Sequence, residues 1–480
     1  MRPLTSLLLS VFLLGSVLLG SSLTWTANPD PRPRTSDKHA SPHPDHITLS
    51  WTQNPSSSFS VSWRTDTTVT TPKAQIAPAK AGPSLSTKAR TIDAEIHPPD
   101  IPGVDPDSIH LPHQHQSVTF SGLAPDSTYA YRVGDGTHWS EWFHAETASP
   151  TPEPFTFLYL GDAQNGLHSH WPRALRAAYA AAPNAAFLVQ AGDLVNHADR
   201  MAQWADWHEA GAWIQGNMPT LAVPGNREYS NHKSRWSLSS GTIDAPPPKG
   251  RALSMYWRPQ FTFPKNGPKG LKENVYYLDY QGLRLIGLDA MAALVDSTAR
   301  HRQTRWLKSV LAQSEARWTA VVLHMPIFST AGDFAPLRQA WRPLLDKYQV
   351  DLVMQGQNHT YARGHVQSSG PETTDASSGS GTVYVTSIAG SKMMPIRKDR
   401  WSDYDDIVLK RGAENTQLYQ VVRVEYDTMR YRAYTVTGER YDAFDLVKRP
   451  GDAPNALIDR VPADASERTF DNTIPYEKPE

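Results

Sequence analysis

The stretch 186–197 reads Ala-Phe-Leu-Val-Gln-Ala-Gly-Asp-Leu-Val-Asn-His, so an apolar run leads directly into the carboxylate of Asp193. Such a run is typical of a buried strand, which places Asp193 at the carboxyl end of that strand. Open α/β sheets bind ligands at this edge. Asp193 is therefore a candidate site residue, and a solvated loop acid is the alternative. The choice depends on whether other strands carry matching side chains at their ends.

Four further apolar runs also end at side chains that can bind a metal. They end just before Asp162, Asn226, His324 and His359. Each residue alone has a structural alternative, because Asp caps helices, Asn after Gly forms turns, and a buried His often bonds only the backbone. Five such ends in one chain are harder to explain in this way. Carboxylate, amide and imidazole donors together suit divalent first-row metals, so the pattern predicts a metal site.

The composition excludes several other kinds of site. The chain has 480 residues, which predicts more than one domain, and its formal net charge of -1 argues against a broad nucleic-acid surface. It contains no cysteine, so thiolate ligands, a thiolate nucleophile and disulfide bonds are all excluded. No nucleic-acid partner is expected, and the sequence leaves the oligomeric state open.

The N-terminus has the features of a secretory signal. Met1-Arg2-Pro3 precedes a Leu-rich run from Leu7 to Leu19, and Gly20-Ser21-Ser22 provide small residues for cleavage. We therefore expect a signal peptide over 1–22 and a secreted or periplasmic protein, with no stable membrane insertion after cleavage. The alternative is an uncleaved anchor, because the apolar run nearly reaches the length needed to span a bilayer.

A change in the apolar pattern divides the rest of the chain. Phe59, Val61 and Trp63 alternate with polar residues, which is typical of strands. The stretch Leu123-Ala124-Pro125-Asp126-Ser127-Thr128-Tyr129 resembles the tyrosine corner of fibronectin type III domains. From Phe155 onward, strands alternate with helices, as in α/β domains. The expected parts are a signal peptide at 1–22, a Pro-rich linker at 23–46, an all-β fibronectin III-like domain at 47–148, an α/β domain at 153–446 and a polar tail at 447–480.

Five short motifs follow one another at the strand ends of the second domain. They are Gly161-Asp162-x-Gln164, Gly192-Asp193-x-x-Asn196, Gly225-Asn226-x-Glu228, His324-x-Pro326 and Gly356-x-x-His359. In this order they resemble the calcineurin-like metallophosphoesterases, and most closely the branch that includes purple acid phosphatases. The resemblance covers about residues 47–446. It implies an N-terminal fibronectin III-like sandwich, similar to the purple acid phosphatase N-terminal domain, followed by a layered α/β/β/α metallophosphoesterase domain.

The resemblance further implies a dinuclear site for two divalent metal ions, with Fe, Mn and Zn all candidates. The implied ligands are Asp162, Gln164, Asp193, Asn226, His324, Gln357 and His359. Asp162, Gln164 and His359 would hold the first ion, and the second would be held by the others with Asp193 as the bridge. The ions would lower the pKa of a bound water, so that hydroxide attacks the phosphorus of a phosphoester substrate.

Catalytic and substrate contacts are expected from a smaller set. Catalytic roles are expected for Asp193 and Arg227, and the candidates for substrate binding are Asn226, Arg227, His197 and Arg363. A structural ion pair is the alternative for Arg363. Glu228 is a candidate for orienting the Asn226 loop without binding metal itself.

Three positions depart from the family pattern. Asn196 stands where purple members have a Tyr ligand, so no charge-transfer colour is expected. Gln357 replaces a His, and a glutamine oxygen binds first-row metals less well than imidazole. Arg227 replaces the His that can protonate the leaving oxygen, whereas an arginine stays charged. The sequence is therefore compatible with an active acid phosphatase-like enzyme and, alternatively, with an impaired pseudoenzyme that binds phosphorylated ligands or metal without turnover.

Overall fold

The computed structural model describes residues 39–101, 104–231, 242–243, 251–367, 378–397, 401, 404, 406–451 and 453–469. The predicted signal peptide at 1–22 lies outside these residues, as does most of the predicted linker. Within the described part, no helix has both the length and the apolar character to cross a membrane.

Alternating apolar residues build a β-sandwich at the start of the described chain. Its strands are β1 (Asp45–Ser50), β2 (Ser58–Asp66), β3 (Lys73–Pro78), β4 (Arg90–Asp93), β5 (Glu95–His97), β6 (Ile109–His110), β7 (His113–Ser121), β8 (Thr128–Gly134) and β9 (Phe143–Glu146). Two antiparallel sheets form, in the orders β1–β2–β7–β5 and β4–β3–β8–β9. Phe59 of the first sheet lies 5.7 Å from the Tyr131 ring of the second, so the two apolar faces share a core.

The predicted tyrosine-corner contact is present in this sandwich. The Tyr129 hydroxyl accepts a hydrogen bond of 2.9 Å from the Ala124 backbone N–H. The all-β character of the N-terminal domain is therefore confirmed. Its assignment to the fibronectin III type stays a prediction.

The second domain alternates strands and helices around one extended sheet. Its helices are α1 (Trp171–Ala181), α2 (Met201–Asn217), α3 (Trp257–Gln260), α4 (Ala290–Val295), α5 (Ser297–Ala312) and α6 (Ala335–Lys347). Its strands are β10 (Phe155–Leu160), β11 (Phe187–Gln190), β12 (Thr220–Ala222), β13 (Tyr229–Asn231), β14 (Thr242–Ile243), β15 (Arg251–Leu253), β16 (Tyr276–Tyr280), β17 (Leu283–Leu288), β18 (Trp318–Leu323), β19 (Leu352–Gln355), β20 (Tyr361–Gln367), β21 (Ser378–Thr386), β22 (Ile407–Ala413), β23 (Leu418–Glu425), β24 (Thr428–Thr435), β25 (Arg440–Val447) and β26 (Asn455–Asp459).

Two groups of parallel strands position the functional loops. The first group is β12–β11–β10, and the second contains β17, β18, β19 and β21. Antiparallel strands β23 to β26 connect the groups, because β10 pairs with β23 and β21 pairs with β26. The carboxyl ends within each parallel group lie at one edge of the sheet, where open α/β sheets form their sites.

Residues in the predicted polar tail contribute to this sheet. Strand β26 pairs with both β21 and β25. Leu457 is buried there, so the ordered sheet extends past Val447. The sequence pattern is too short at this point to distinguish a closing strand from a polar tail.

The sandwich packs its β1–β2–β7 sheet against α2 and α3. The Ser62 hydroxyl donates to the Gln260 carbonyl at 2.6 Å, and the Tyr131 hydroxyl donates to the Gly216 carbonyl at 2.5 Å. The alternating polar residues of β2, such as Ser60 and Ser62, are therefore buried as fully as the apolar ones. Both domains belong to one compact unit, Arg34–Glu480.

Candidate metal centre

All seven predicted ligands lie in loops that follow the carboxyl ends of parallel strands. These are Asp162 and Gln164 after β10, Asp193 after β11, Asn226 after β12, His324 after β18, and Gln357 and His359 after β19. The apolar strands bury the loop bases, and Asp162, Asp193 and His359 are each at most 2% exposed. The sheet topology therefore brings together residues separated by almost two hundred positions in the chain.

Three residues in these loops adopt backbone conformations that are rare for residues other than glycine. Asp162, Asp193 and His359 have φ angles of 47°, 51° and 54°. Non-glycine residues in this left-handed region are uncommon, and they persist where the surrounding structure holds them. Gly225 provides the space for one of them, because a Cβ at this position would lie 2.2 Å from Asp193 Oδ1.

Ligand atoms converge around the two aspartates. One ligand atom from each of Asp162, Asp193 and His359 lies within 4.8 Å of the other two. His324 Nε2 lies 3.2 Å from Asp193 Oδ1, and His359 Nδ1 lies 4.0 Å from Asp162 Oδ1. Gln164 completes this group, since its amide nitrogen donates to Asp193 Oδ2 at 2.6 Å. These spacings allow several of the side chains to share one cation.

The donor atoms themselves are suited to a divalent metal. Several buried side-chain atoms have no hydrogen-bond partner among the residues that the structure describes: Asp162 Oδ1, Gln164 Oε1, Asn226 Oδ1, His324 Nε2, Gln357 Oε1 and His359 Nδ1. Buried polar atoms are normally paired, because leaving one unpaired costs about 1–3 kcal/mol. Six of the seven predicted ligands thus present an unpaired atom in the loops at the carboxyl ends of the parallel strands. Their oxygen and imidazole chemistry fits first-row divalent ions.

A backbone contact orients His324 for this role. Its Nδ1 lies 2.7 Å from the Ala191 carbonyl oxygen, which can only accept, so Nδ1 carries the proton. The other ring nitrogen, Nε2, faces Asp193. Burial lowers the pKa of the ring, but the Asp193 and Asp162 charges raise it to about 10, so a cation bound at Nε2 would replace a proton there. Such a carbonyl contact is a common way of orienting a metal-binding imidazole.

The electrostatic environment differs between the two carboxylates. Burial raises the pKa of Asp162, and the neighbouring Asp193 raises it further, against the lowering effect of His324. Burial acts in the same direction on Asp193, but the close His324 ring and the Arg227 N–H overcome it and lower the pKa of Asp193. For His359, burial lowers the pKa to about 3. The two carboxylates thus carry unlike proton affinities at one buried centre.

Glu228 connects two of the site loops, as the sequence predicted. Its carboxylate accepts hydrogen bonds from the N–H groups of Gly225 at 2.7 Å and of Asp193 and Leu194 at 2.9 Å. Glu228 is fully buried, and these three donors belong to the loops after β11 and β12. Glu228 therefore fixes the Asn226 loop relative to Asp193.

The predicted substrate-binding residues fall into two groups. Arg227 donates its backbone N–H to Asp193 Oδ1 at 2.8 Å, and its side-chain Nε is buried without a partner. His197 lies near Arg227, and burial together with the Arg200 charge lowers the pKa of its ring. Asn226 is partly exposed beside the same loop. Arg227 therefore borders the centre through its contact with Asp193, and the substrate roles of His197 and Asn226 stay predictions.

The prediction of a substrate contact for Arg363 is wrong. Its guanidinium is 1% exposed and makes two hydrogen bonds of 2.8 Å to the Asp442 carboxylate. The Nε/Nη2 edge of the guanidinium is therefore occupied by a buried carboxylate, and burial withdraws the whole side chain from a substrate. Arg363 forms a structural ion pair with Asp442, as the alternative interpretation expected.

Lys392 is a site residue that the sequence motifs did not identify. It is half-buried, and its pKa is lowered by burial and by Arg227 while Asp193 and Asp162 raise it, so those charges surround it. It follows β21, a parallel neighbour of β19. It lies six positions beyond the end of β21, so the rule that predicted the other ligands, a polar residue directly after a strand, does not reach it.

Comparison with known proteins agrees with this geometry. The model of the purple acid phosphatase N-terminal domain matches residues 44–147, and that of the calcineurin-like phosphoesterases matches residues 155–361. The chain therefore carries a calcineurin-like phosphoesterase domain preceded by a purple acid phosphatase N-terminal domain. Within this family the N-terminal match places it beside the purple acid phosphatases, as the motifs predicted. The predicted order of an all-β domain and an α/β phosphoesterase domain is confirmed.

Individual relatives of this chain are distant. An uncharacterized protein of Mycobacterium tuberculosis is 27% identical over 357 residues, which are 66% of this chain and 61% of the relative. Purple acid phosphatase 23 of Arabidopsis thaliana is 24% identical over 51% of this chain and 57% of its own length. The chain thus spans about three fifths of the length of these relatives.

A solved structure shares the fold. The purple acid phosphatase PPD1 from yellow lupin (Lupinus luteus) seeds superposes with a TM-score of 0.66 at 16% identity. The superposition covers 85% of this chain and 75% of the lupin chain. Both domains of the chain therefore have counterparts in that fold.

Proposed function

We propose that the chain hydrolyses phosphate esters at the candidate metal centre, with two divalent ions bound. The observation that carries this proposal is the set of unpaired buried donor atoms around Asp162 and Asp193. Family membership supplies the reaction class, since residues 155–361 match calcineurin-like phosphoesterases. Asp193 would bridge the ions, with Asp162, Gln164 and His359 on one side and Asn226, His324 and Gln357 on the other.

The chain's own residues have distinct tasks in this proposal. Bound divalent ions would supply positive charge for the phosphoryl oxygens and would make a bound water more acidic. Arg227 would hold a phosphoryl oxygen through its free Nε. Because an arginine stays charged in proteins, it would not protonate the leaving oxygen. Substrates with acidic leaving groups need no such proton, and we expect these to react faster.

A second candidate function is binding of phosphorylated ligands without turnover. Two observations favour it: Gln164 donates its amide to Asp193 Oδ2, and Arg227 stands in the third motif. An amide donor at a bridging carboxylate competes with a cation for the same oxygen. In such a protein the phosphate would be held, but water would not be activated.

Metal analysis beside a hydrolysis assay tests the two functions. We expect the full chain, loaded with Mn²⁺ or Zn²⁺, to bind two ions and to cleave aryl phosphates faster than alkyl phosphates. Asp193→Asn should lose both metal and turnover, whereas the exposed control Asp464→Asn should keep both. Equal rates for aryl and alkyl esters would contradict the role given to Arg227.

Metal binding without turnover would support the second candidate. In that case Arg227→His combined with Gln357→His should create turnover, because imidazole binds first-row metals better than an amide and can donate a proton. A double variant that gains metal but no activity would show that these two positions do not cause the missing turnover.

We also propose that the protein is exported, with 1–22 as its signal peptide, and that it is secreted or periplasmic. The proposed boundaries of the two folded parts are 47–148 and 153–446, and strand β26 adds residues of the predicted tail to the sheet of the second part. Mass spectrometry of the mature N-terminus checks the export proposal, and an intact Met1 in the processed protein would contradict cleavage.

A further inference from the structure

A short segment after β21, residues 388–394, lies across the Asp162 side of the centre. Its Ala389 N–H donates to the Gly161 carbonyl at 2.8 Å, and its Gly390 N–H donates to the Asp162 carbonyl at 2.9 Å. Further along, the Met394 N–H donates to the His359 carbonyl at 3.1 Å. The segment is therefore attached at both ends to the loops that carry Asp162 and His359.

Close approach of this segment requires glycine at position 390. A Cβ there would lie 2.4 Å from the Asp162 carbonyl oxygen and 2.6 Å from that of Gln164. Real Cβ atoms do not approach other heavy atoms so closely. Lys392 is two residues from each attachment point, Gly390 and Met394, and is half-buried. The two attachments thus place the Lys392 backbone beside the loops of Asp162 and His359, and the Asp193 and Asp162 charges act on its side chain.

A second cation reaches the same centre from the other aspartate. Arg227 is tied to Asp193 by its backbone N–H, and the buried Nε of its guanidinium has no partner in the described residues. Arg227 and Lys392 are close enough for the arginine charge to lower the pKa of the lysine. Two like charges beside each other repel, and an anion bound between them relieves this repulsion.

We propose that Lys392 binds the phosphoryl group of the substrate, together with Arg227, so that the group is held from the Asp162 side and from the Asp193 side. This inference rests on the proposed function, because it concerns the ligand of the same centre. Lysine suits the position, since its compact charge on a flexible stem can follow a phosphoryl oxygen without fixed bidentate geometry.

Binding of inorganic phosphate to the full chain tests the inference, by calorimetry on metal-loaded and metal-free protein. We expect Lys392→Gln to weaken phosphate binding about tenfold and Lys392→Arg to stay within about threefold of wild type, because the charge is kept. Lys308→Gln, an exposed position on α5, is the matched control and should bind like wild type. Metal content is measured for each variant, and we expect it to be unchanged.

The outcomes separate this inference from the proposed function. If wild type binds phosphate and Lys392→Gln binds it equally well, the role of Lys392 is overturned while the proposed function stands. If wild type binds no phosphate in either form, both are overturned.

A second measurement uses only the wild-type protein, so it tests the inference even if a Lys392 variant fails to fold. Acetylation of individual lysines is measured by mass spectrometry. Phosphate should slow the acetylation of Lys392 and leave that of Lys308 unchanged. Equal acetylation rates at Lys392 with and without phosphate would overturn the inference.

Discussion

At the scale of single residues, Glu228 holds the centre together without belonging to the ligand set. Burial and the nearby Asp193 carboxylate raise the pKa of Glu228, while the N–H groups of Gly225 and Val195 lower it. Backbone N–H groups nevertheless donate to both of its oxygens, so a carboxyl proton would have no acceptor there and the ionised form fits the contacts. A carboxylate can accept all of these hydrogen bonds at once, because it has two oxygens and no donor hydrogen. A residue with even one donor hydrogen at this position would leave backbone N–H groups unpaired.

Glu228→Gln is therefore expected to destabilise the fold and weaken the centre. The amide replaces an acceptor oxygen with an NH₂ group facing N–H donors, which should lower the free energy of unfolding by about 1–3 kcal/mol. Metal affinity should fall by about 10–100-fold, as for other residues that orient ligands. Urea unfolding and metal titration measure the two effects. The exposed control Glu315→Gln should change neither, and unchanged metal affinity in Glu228→Gln would refute the orienting role.

At the scale of elements, the loops after β11 and β12 touch through Gly225. A Cβ at Gly225 would lie 2.5 Å from the Asp193 backbone nitrogen as well as 2.2 Å from its Oδ1. The neighbouring atoms are backbone and a buried carboxylate, so neither can move away freely. The glycine thus sets the distance between the two loops.

Gly225→Ala should push the Asp193 loop away from the Asn226 loop. We expect a loss of about 1–3 kcal/mol of stability from overpacking, together with lost metal binding. Differential scanning calorimetry and metal counting follow these changes. Gly82→Ala is the control, because a Cβ at Gly82 meets nothing within 4 Å. Full metal content in Gly225→Ala at wild-type stability would show that the contact is unimportant.

Strands β20 and β25 are linked by the buried pair of Arg363 and Asp442. Asp442 is fully buried and also accepts a 2.6 Å hydrogen bond from the Tyr361 hydroxyl. Removing one partner of such a pair leaves an uncompensated buried charge.

Arg363→Met should consequently cost about 3–5 kcal/mol of stability and leave the KM for an aryl phosphate unchanged. Arg317→Met removes an exposed pair with Asp427 and should cost at most about 1 kcal/mol. Chemical unfolding and steady-state kinetics distinguish the two roles of Arg363. A raised KM in Arg363→Met at wild-type stability would instead support a substrate contact for Arg363.

At the scale of the whole molecule, four buried histidines lie where the sandwich meets α2. They are His46 on β1, His113 and His115 on β7, and His208 on α2. His46 stacks on His208 with ring centroids 4.3 Å apart. Burial lowers the pKa of all four, to about 3 for His113 and His208, and the Arg64 charge adds to this lowering.

This cluster predicts that the domain interface weakens in acid. Below pH about 6.5 the unfolded histidines take up protons while the folded ones stay neutral, so stability present above that pH is lost as the pH falls toward the folded pKa values. Each histidine should contribute a slope of about 1.4 kcal/mol per pH unit. Urea unfolding at several pH values between 7.5 and 5 measures the total slope.

His208→Gln should reduce that slope by the contribution of one histidine, since glutamine keeps a donor for Gln260 and does not titrate. The exposed His301→Gln on α5 is the control and should leave the slope unchanged. An identical slope in wild type and His208→Gln would contradict the assignment to this cluster.

Much of the centre could be predicted because its residues obey a local rule. A polar residue directly after an apolar strand is visible in the sequence, as for Asp193, and parallel strands bring such ends to one edge. The substrate contact predicted for Arg363 was wrong because closeness to His359 along the chain does not determine what a strand residue faces. Lys392 was missed because nothing local shows that β21 lies beside β19.

The sequence by itself determined the order of the two domains, the strands that carry ligands and the family, since these depend on local patterns and short motifs. Only the tertiary structure decided which buried atoms lack partners, that Arg363 pairs with Asp442, and that Lys392 lies beside the centre. The physical reason is that pairing and burial depend on contacts between segments far apart in the chain, and these contacts have no signature within any one segment. Asp193 is at once the residue that the local pattern singles out and the one around which the distant loops assemble.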